Sequence, residues 1–212
     1  MDLGSQRREY GGERLLEADT PSDPFALFTT WLDIALYARV LDATAMALAT
    51  ASKEGHPSVR MVLLKGHDRA GLVFYTRYST QKCQDIEDNP AAALLFHWRE
   101  FDRQVRVEGR VERISVEASR AYFATRPRAS QLAARAASGL DRIASADVLE
   151  KRFNEEAAQH ADKDVPMPED WGGYRLSPQR FEFWQGRPSR LHDRLTYTLE
   201  PTGLWTRQRL AP

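Results

Sequence analysis

Phe181-Glu-Phe-Trp-Gln-Gly186, followed by Arg190-Leu-His-Asp-Arg194 and closed by Arg209-Leu-Ala-Pro212, decides how this chain is read. Aromatic residues alternating with polar ones have the two-residue period of a β-strand. Arg190, His192 and Arg194 keep that period, so the run predicts a strand that sends all three side chains out of one face of a sheet. Two fixed cations on either side of an imidazole, close to Trp184, suit a flat anionic ligand. Guanidinium groups offer planar, bidentate donors to a phosphate, and the indole offers a flat apolar wall. A solvated basic strand face explains these five residues equally well when they are taken alone.

Composition narrows the class. A length of 212 residues suits one large domain, and 42% apolar residues with five Trp supply a core and leave aromatic surface for a ligand. The 30 basic residues balance 30 acidic ones, which argues against bulk binding to nucleic acid or a membrane surface and gives weight to local basic clusters. Cys83 is the single cysteine, so no intrachain disulfide forms and Cys-rich metal sites are excluded. Residues 1–20 lack the apolar core of a signal peptide, and no run approaches 18 apolar residues. The expectation is a soluble, cytoplasmic protein.

Along the chain, residues 1–21 read as a mobile arm and residues 22–212 as a single domain. Ser22-Asp-Pro24 opens a helix with Phe25, Phe28, Trp31, Leu32 and Ala35 as its apolar stripe. Strands are expected at 43–52, 58–65 and 72–77, with turns at 53–57 and 67–71, then a helix over 79–88. Further strands are expected at 91–98 and 103–114. In the latter, Gln104, Arg106, Glu108 and Arg110 alternate with Val105, Val107 and Val111, as in a sheet with one wet face. A helical section over 116–160 leads to strands at 174–177, 180–185, 193–199 and 204–210. Short antiparallel strands with interposed helices indicate an α+β, barrel-like domain. Neither a dinucleotide-binding glycine fingerprint nor a P-loop is present.

Two further clusters carry chemistry. Arg60-Met-Val-Leu-Leu-Lys65, with Tyr75-Thr76 and Lys82, sets a cation inside an apolar strand, where it needs an anionic partner; an intrachain carboxylate or a ligand phosphate would both serve. Ser79 to Lys82 could add the first amides of a helix to such a site. Tyr122, Arg126 and Ser130 are spaced four and four, so on one helical face they would offer a phenol, a guanidinium and a hydroxyl to one phosphate, with Pro127 ending the helix and Ser130 reaching in from a turn. An ordinary amphipathic helix with polar residues outward has the same pattern.

Taken together, these segments are more specific than any one of them. Arg7-Arg-Glu-Tyr10, Asp42–Met46, Arg60–Lys65, Phe74-Tyr-Thr76, Arg103-Gln-Val105, Arg126-Pro-Arg128, Trp171-Gly-Gly173, Phe181–Gly186 and Arg190–Arg194 occur in order. From Arg7 to Pro212 the chain resembles the pyridoxine (pyridoxamine) 5′-phosphate oxidases, FMN enzymes of vitamin B6 metabolism. The resemblance implies a split β-barrel homodimer with FMN in a cleft between subunits, and oxidation of a phosphorylated pyridine with O2 as acceptor and no metal. It implies that Arg60, Met61, Val62, Leu63, Leu64, Lys65, Tyr75, Thr76, Lys82, Gln104, Trp184 and Arg194 contact FMN. Lys65, Tyr122, Arg126 and Ser130 would hold the substrate phosphate. Arg190, Leu191 and His192 would lie on the substrate ring, Arg190 and His192 being catalytic, and Arg7, Arg8, Glu9 and Tyr10 would form a lid over it.

Two positions depart from the family. Gln81 stands where Arg is usual, and Gly139-Leu140 stands where Gln-Ser is usual, a pair that the resemblance assigns to the partner subunit's flavin. Both predict looser FMN binding, with Gln81→Arg tightening it. Related phenazine-biosynthesis oxidases can carry Gln at the first position. The alternatives are therefore a same-fold flavin oxidase of an unphosphorylated aromatic such as a phenazine precursor, or a flavin-binding protein without turnover.

Overall fold

The computed structural model describes residues 8–212; Arg7 lies outside the described residues. Helix α1 (Pro24–Tyr37) begins where Asp23 accepts from the Phe25 amide at 2.9 Å and Pro24 supplies a preset first turn. It buries Phe25, Phe28, Trp31, Leu32 and Ala35, as its apolar period predicts. Strands β1 (Ala45–Ala51), β2 (Pro57–Leu63), β3 (Gly66–Asp68) and β4 (Gly71–Arg77) precede helix α2 (Gln81–Asp88). Strands β5 (Ala91–Trp98) and β6 (Arg103–Arg113) lead to helices α3 (Val116–Thr125), α4 (Arg128–Ala137) and α5 (Ala146–Gln159). Strands β7 (Trp171–Gln185), β8 (Asp193–Leu199) and β9 (Trp205–Leu210) complete the chain. Among the described residues no helix is long and apolar enough to cross a membrane.

All pairings are antiparallel, in the order β2-β1-β5-β6-β7-β4-β3, with β8 on β7 and β9 on β8. Strand β7 has β6 along one edge. Its other edge pairs β4 through Trp171–Leu176 and β8 through Arg180–Gln185. Pro178 sits at the changeover, where a residue without an N–H costs the ladder nothing, and the β6–β7 register slips between Glu108 and Gly109. This division curls the sheet around a core that includes Phe28, Met46, Phe74, Phe96, Trp98, Phe181 and Phe183. The two strands expected at 174–177 and 180–185 are thus one strand, and the turn expected at 67–71 contains most of β3.

The largest correction concerns Arg190 and His192, which do not lie on a strand. Pro188–Arg190 form a 3-10 turn, Ser189 and Arg190 adopt φ of 56° and 61°, and β8 starts only at Asp193. Pro188 cannot continue a ladder, and the Arg187 amide donates to His192 Nδ1 at 3.0 Å to close the loop instead. Nor is β2 a buried strand. It is a sheet edge on which Val59, Met61 and Leu63 are 68%, 63% and 43% exposed. The described part of the N-terminal segment lies against the barrel: Leu15 is buried, its amide donates to Asp193 at 3.0 Å, and Arg209 binds Glu17 and the Leu15 carbonyl.

Gly109 marks the bulge, because a Cβ there would overlap the Ser177 carbonyl oxygen. Gly109→Ala is expected to destabilise the fold by about 1–3 kcal/mol, read as a lower urea midpoint at unchanged slope.

Candidate active site

One cavity of about 640 Å³ gathers half of the expected ligand residues. Arg60, Met61, Val62 and Leu63 of β2, Lys65, Tyr75 and Thr76 of β4, Lys82 of α2, Tyr122 and Trp171 all line it, with Arg126 and Ser130. Among the described residues no carboxylate does. Leu64 is the exception: it is buried in the core and faces away.

Local structure explains the cationic character of this cavity. Pro127 separates α3 from α4 and holds Arg126 extended, at ψ 148°. Ser130 therefore sits on the first turn of a second helix rather than in a turn after the first. The Arg126 guanidinium lies 4.8 Å from the Trp171 ring centre and 5.4 Å from that of Phe123. Its Nη1 is buried and has no hydrogen-bond partner among the described residues. Burial pushes its pKa below the ordinary value, against the opposing effect of Tyr122. A desolvated cation with an unused donor is costly unless an anion completes it. Tyr122 stacks on Tyr75 at 3.9 Å, and Tyr75 stacks on Trp171 at 5.4 Å, making a flat aromatic wall. Burial raises both phenols, so both remain O–H donors. Gly173 makes room for this wall, since a Cβ there would sit 2.8 Å from the Tyr75 ring.

At the other end of the cavity, burial lowers the pKa of Lys82, which donates to Thr80 Oγ1 at 3.0 Å. Arg60 donates to Leu48 O at 3.0 Å, Thr50 Oγ1 at 2.8 Å and Ser58 Oγ at 2.5 Å. Its intrachain carboxylate is Asp85, 4.0 Å away and buried. Asp85 also accepts from Thr50 at 2.6 Å and from Gln81 Nε2 at 2.9 Å. Gln81 is thus turned to Asp85 and does not line the cavity. Leu140 lines a second cavity, of about 550 Å³, that shares Arg126, Ser130 and Trp171 with the first. The Gly139-Leu140 pair therefore stands beside its own chain's cavity.

The remaining expected residues form a separate group. Gln104, Trp184 and Arg194 are register neighbours across β6, β7 and β8. His192 packs on Trp184 at 4.7 Å, and Tyr10 meets both rings edge-on, at 5.5 and 5.0 Å. The Arg190 guanidinium is 5.7 Å from the Tyr10 ring centre. Arg194 is paired with Glu182 at 2.9 Å and with the Ala211 carbonyl at 2.9 Å. Burial, then Arg190, lowers the His192 pKa, favouring a neutral ring; with Nδ1 accepting from Arg187, that ring carries its proton on Nε2. Glu9 and Leu191 are exposed, and Arg8 is turned to Asp102.

The two groups stand at opposite ends of β7, since Trp171 is its first residue and Trp184 its fourteenth. Thirteen steps amount to roughly 40 Å along the strand. Trp171 was quoted from sequence only within the Trp171-Gly-Gly173 segment, without a site role, and Asp85 and Asp102 were not singled out. The signal for Trp171 was the Gly172-Gly173 pair behind it, which opens space for a ring.

A curled antiparallel barrel with a cation-lined, aromatic-walled cavity defines the split-barrel class. The solved structure of PhzG from Burkholderia lata 383, in complex with tetrahydrophenazine-1-carboxylic acid, superposes with a TM-score of 0.89 at 28% identity, covering 95% of this chain and 100% of that one. An FMN-binding protein of Nostoc punctiforme, described as pyridoxamine 5′-phosphate oxidase-related, shares the fold at TM-score 0.71 and 18% identity, covering 91% of this chain and 100% of that one. Residues 32–160 match the family described as pyridoxamine 5′-phosphate oxidase, and residues 171–212 match the pyridoxine 5′-phosphate oxidase C-terminal dimerisation region. The chain is 48% identical over 212 residues to the pyridoxine/pyridoxamine 5′-phosphate oxidase of Herminiimonas arsenicoxydans, covering 100% of both. It is 51% identical over 211 residues to that of Rubrobacter xylanophilus, covering 100% of this chain and 97% of the relative. The chain belongs to the pyridoxamine 5′-phosphate oxidase family.

Because Gln81 faces Asp85, an arginine there would pair with that carboxylate before reaching the cavity. Gln81→Arg is therefore expected to change the FMN dissociation constant by less than about threefold, well short of the factor of ten that one charged hydrogen bond can give. Titration of apo protein followed by flavin fluorescence checks this.

Proposed function

We propose that the protein is an FMN-dependent oxidase that converts pyridoxine 5′-phosphate and pyridoxamine 5′-phosphate to pyridoxal 5′-phosphate, with O2 as acceptor. The observation that carries this reading is the buried Nη1 of Arg126, unpartnered among the described residues, in a cavity that no described carboxylate lines. Tyr122, Ser130 and Lys65 complete a donor set of the kind a phosphate dianion satisfies. Arg60 and Lys82 are the cations for the FMN phosphate, and the Tyr75–Tyr122–Trp171 wall bounds the space between the two anions. FMN, held there by Arg60 and Lys82, would supply the redox chemistry, a two-electron oxidation of the substrate carbon with O2 as the final acceptor.

Arg190 and His192 act on the substrate ring. Neutral His192 presents an Nε2–H, so its role is to donate a hydrogen bond and orient the ring, and Arg190 offsets negative charge there. Their group and the phosphate cavity stand at opposite ends of β7, and none of Trp184, Arg190, His192 and Arg194 lines that cavity in its own chain. A homodimer resolves this, with Trp184, Arg190, His192 and Arg194 of one copy closing the cavity of the other. Exposed Tyr37, Leu41, Val59, Met61 and Leu63 supply apolar surface for such an interface. The likeness to PhzG raises an unphosphorylated aromatic as a second substrate class. The unused Arg126 donor disfavours it, since a ligand without phosphate leaves that donor empty.

The test is peroxide release from the FMN-loaded protein with pyridoxine 5′-phosphate and with unphosphorylated pyridoxine. Turnover is expected only for the phosphate ester. Arg126→Ala is expected to raise its KM at least about tenfold, the scale of one charge-assisted hydrogen bond, while retaining flavin. Loss of flavin at unchanged KM would assign the cluster to the other ligand.

A further inference from the structure

We propose that Asp102 is a positioning residue that latches the N-terminal segment over the Trp184–His192–Arg190 group and thereby sets how tightly the substrate ring is held. Its effect on substrate rests on the function proposed above; the latch itself does not. Asp102 lies at the entrance to β6 with φ 53° and ψ 38°, in the left-handed region, and its side chain is 8% exposed. One carboxylate oxygen accepts from the Arg8 guanidinium, and the other accepts from the Gly11 amide at 3.0 Å. Its backbone carbonyl accepts from the Gly186 amide at 2.7 Å and from Gln185 Nε2 at 3.3 Å. A single residue thus ties the N-terminal segment by its side chain and the end of β7 by its backbone.

Between these ties lies Tyr10, edge-on to both Trp184 and His192. The seat is built closely. A Cβ on Gly186 would stand 2.7 Å from Tyr10, 2.9 Å from Asp102 and 3.0 Å from Trp184, and one on Gly12 would overlap the Gln185 amide. Bare backbone at two points lets the segment lie flat on the turn that carries His192. Burial makes the carboxylate depend on its partners, whereas the Arg8 side chain is 45% exposed and can leave. An ion pair with one buried and one solvated member suits a cover that opens for entry and closes over the ring.

Asp102→Asn isolates the charge. Asn tolerates a positive φ and keeps an oxygen for the Gly11 amide, so the turn should persist. In the FMN-loaded protein, Asp102→Asn and Arg8→Ala should each raise hydrogen exchange across residues 10–12 at least about fivefold. Each should also raise the KM for pyridoxine 5′-phosphate by more than it lowers kcat. The double variant should be no worse than the worse single one, because both remove the same contact. Unchanged exchange in Asp102→Asn would overturn the latch, as would additive KM effects, which would place Arg8 on the substrate itself. Exchange is read without substrate, so it decides the latch even if the wild type turns over no B6 phosphate, an outcome that would overturn only the proposed function.

Discussion

Strand β7 is the constraint on which the rest of the molecule depends. Fifteen residues run unbroken, with β6 along one edge and β4 and β8 sharing the other. Trp171 at its start belongs to the phosphate cavity, and Trp184 near its end belongs to the His192 group. A paired strand cannot fold back on itself without losing its ladder, so one chain holds the two groups apart. On the function proposed above, a ligand that touches both lies between two copies. The β2 edge exposes apolar side chains, and residues 171–212 match a C-terminal dimerisation region.

The charge distribution follows the same division of labour. Acids pair with several arginines elsewhere in the barrel: Glu182 holds Arg194 and reaches Arg106, and Asp193 holds Arg187 and Arg209. The cavity is spared. Arg60 meets Asp85 only at 4.0 Å, and Arg126 meets no acid among the described residues. A chain of zero formal charge therefore keeps a strongly cationic interior pocket. The desolvation of Arg126 weakens the empty fold, and a bound phosphate would return that energy as ligand-dependent stability.

Much of this was legible in the sequence because it is periodic. The apolar stripe of α1 and the Val105–Val107–Val111 alternation follow from helix and strand geometry. Tyr122, Arg126 and Ser130 converge as their spacing suggests, although Pro127 splits their helix into two. Arg190 and His192 misled because alternation cannot register a left-handed turn behind Pro188. The roles of Asp85 and Asp102 were illegible for another reason. Their partners lie at Thr50, Arg60, Arg8 and Gly186, far off in the chain, so only tertiary packing defines them.

The central claim is that each site is assembled from the phosphate cavity of one copy and the Arg190–His192 group of another. The most direct measurement is complementation between Arg126→Ala and Arg190→Ala chains, each poorly active alone, mixed in equal amounts and allowed to exchange subunits. In a two-fold dimer, half of the mixed population would be hybrid, and each hybrid would carry one site free of both changes. The account predicts recovery of about a quarter of wild-type turnover. Activity no greater than the average of the two variants, with hybrid dimers demonstrably formed, would contradict it.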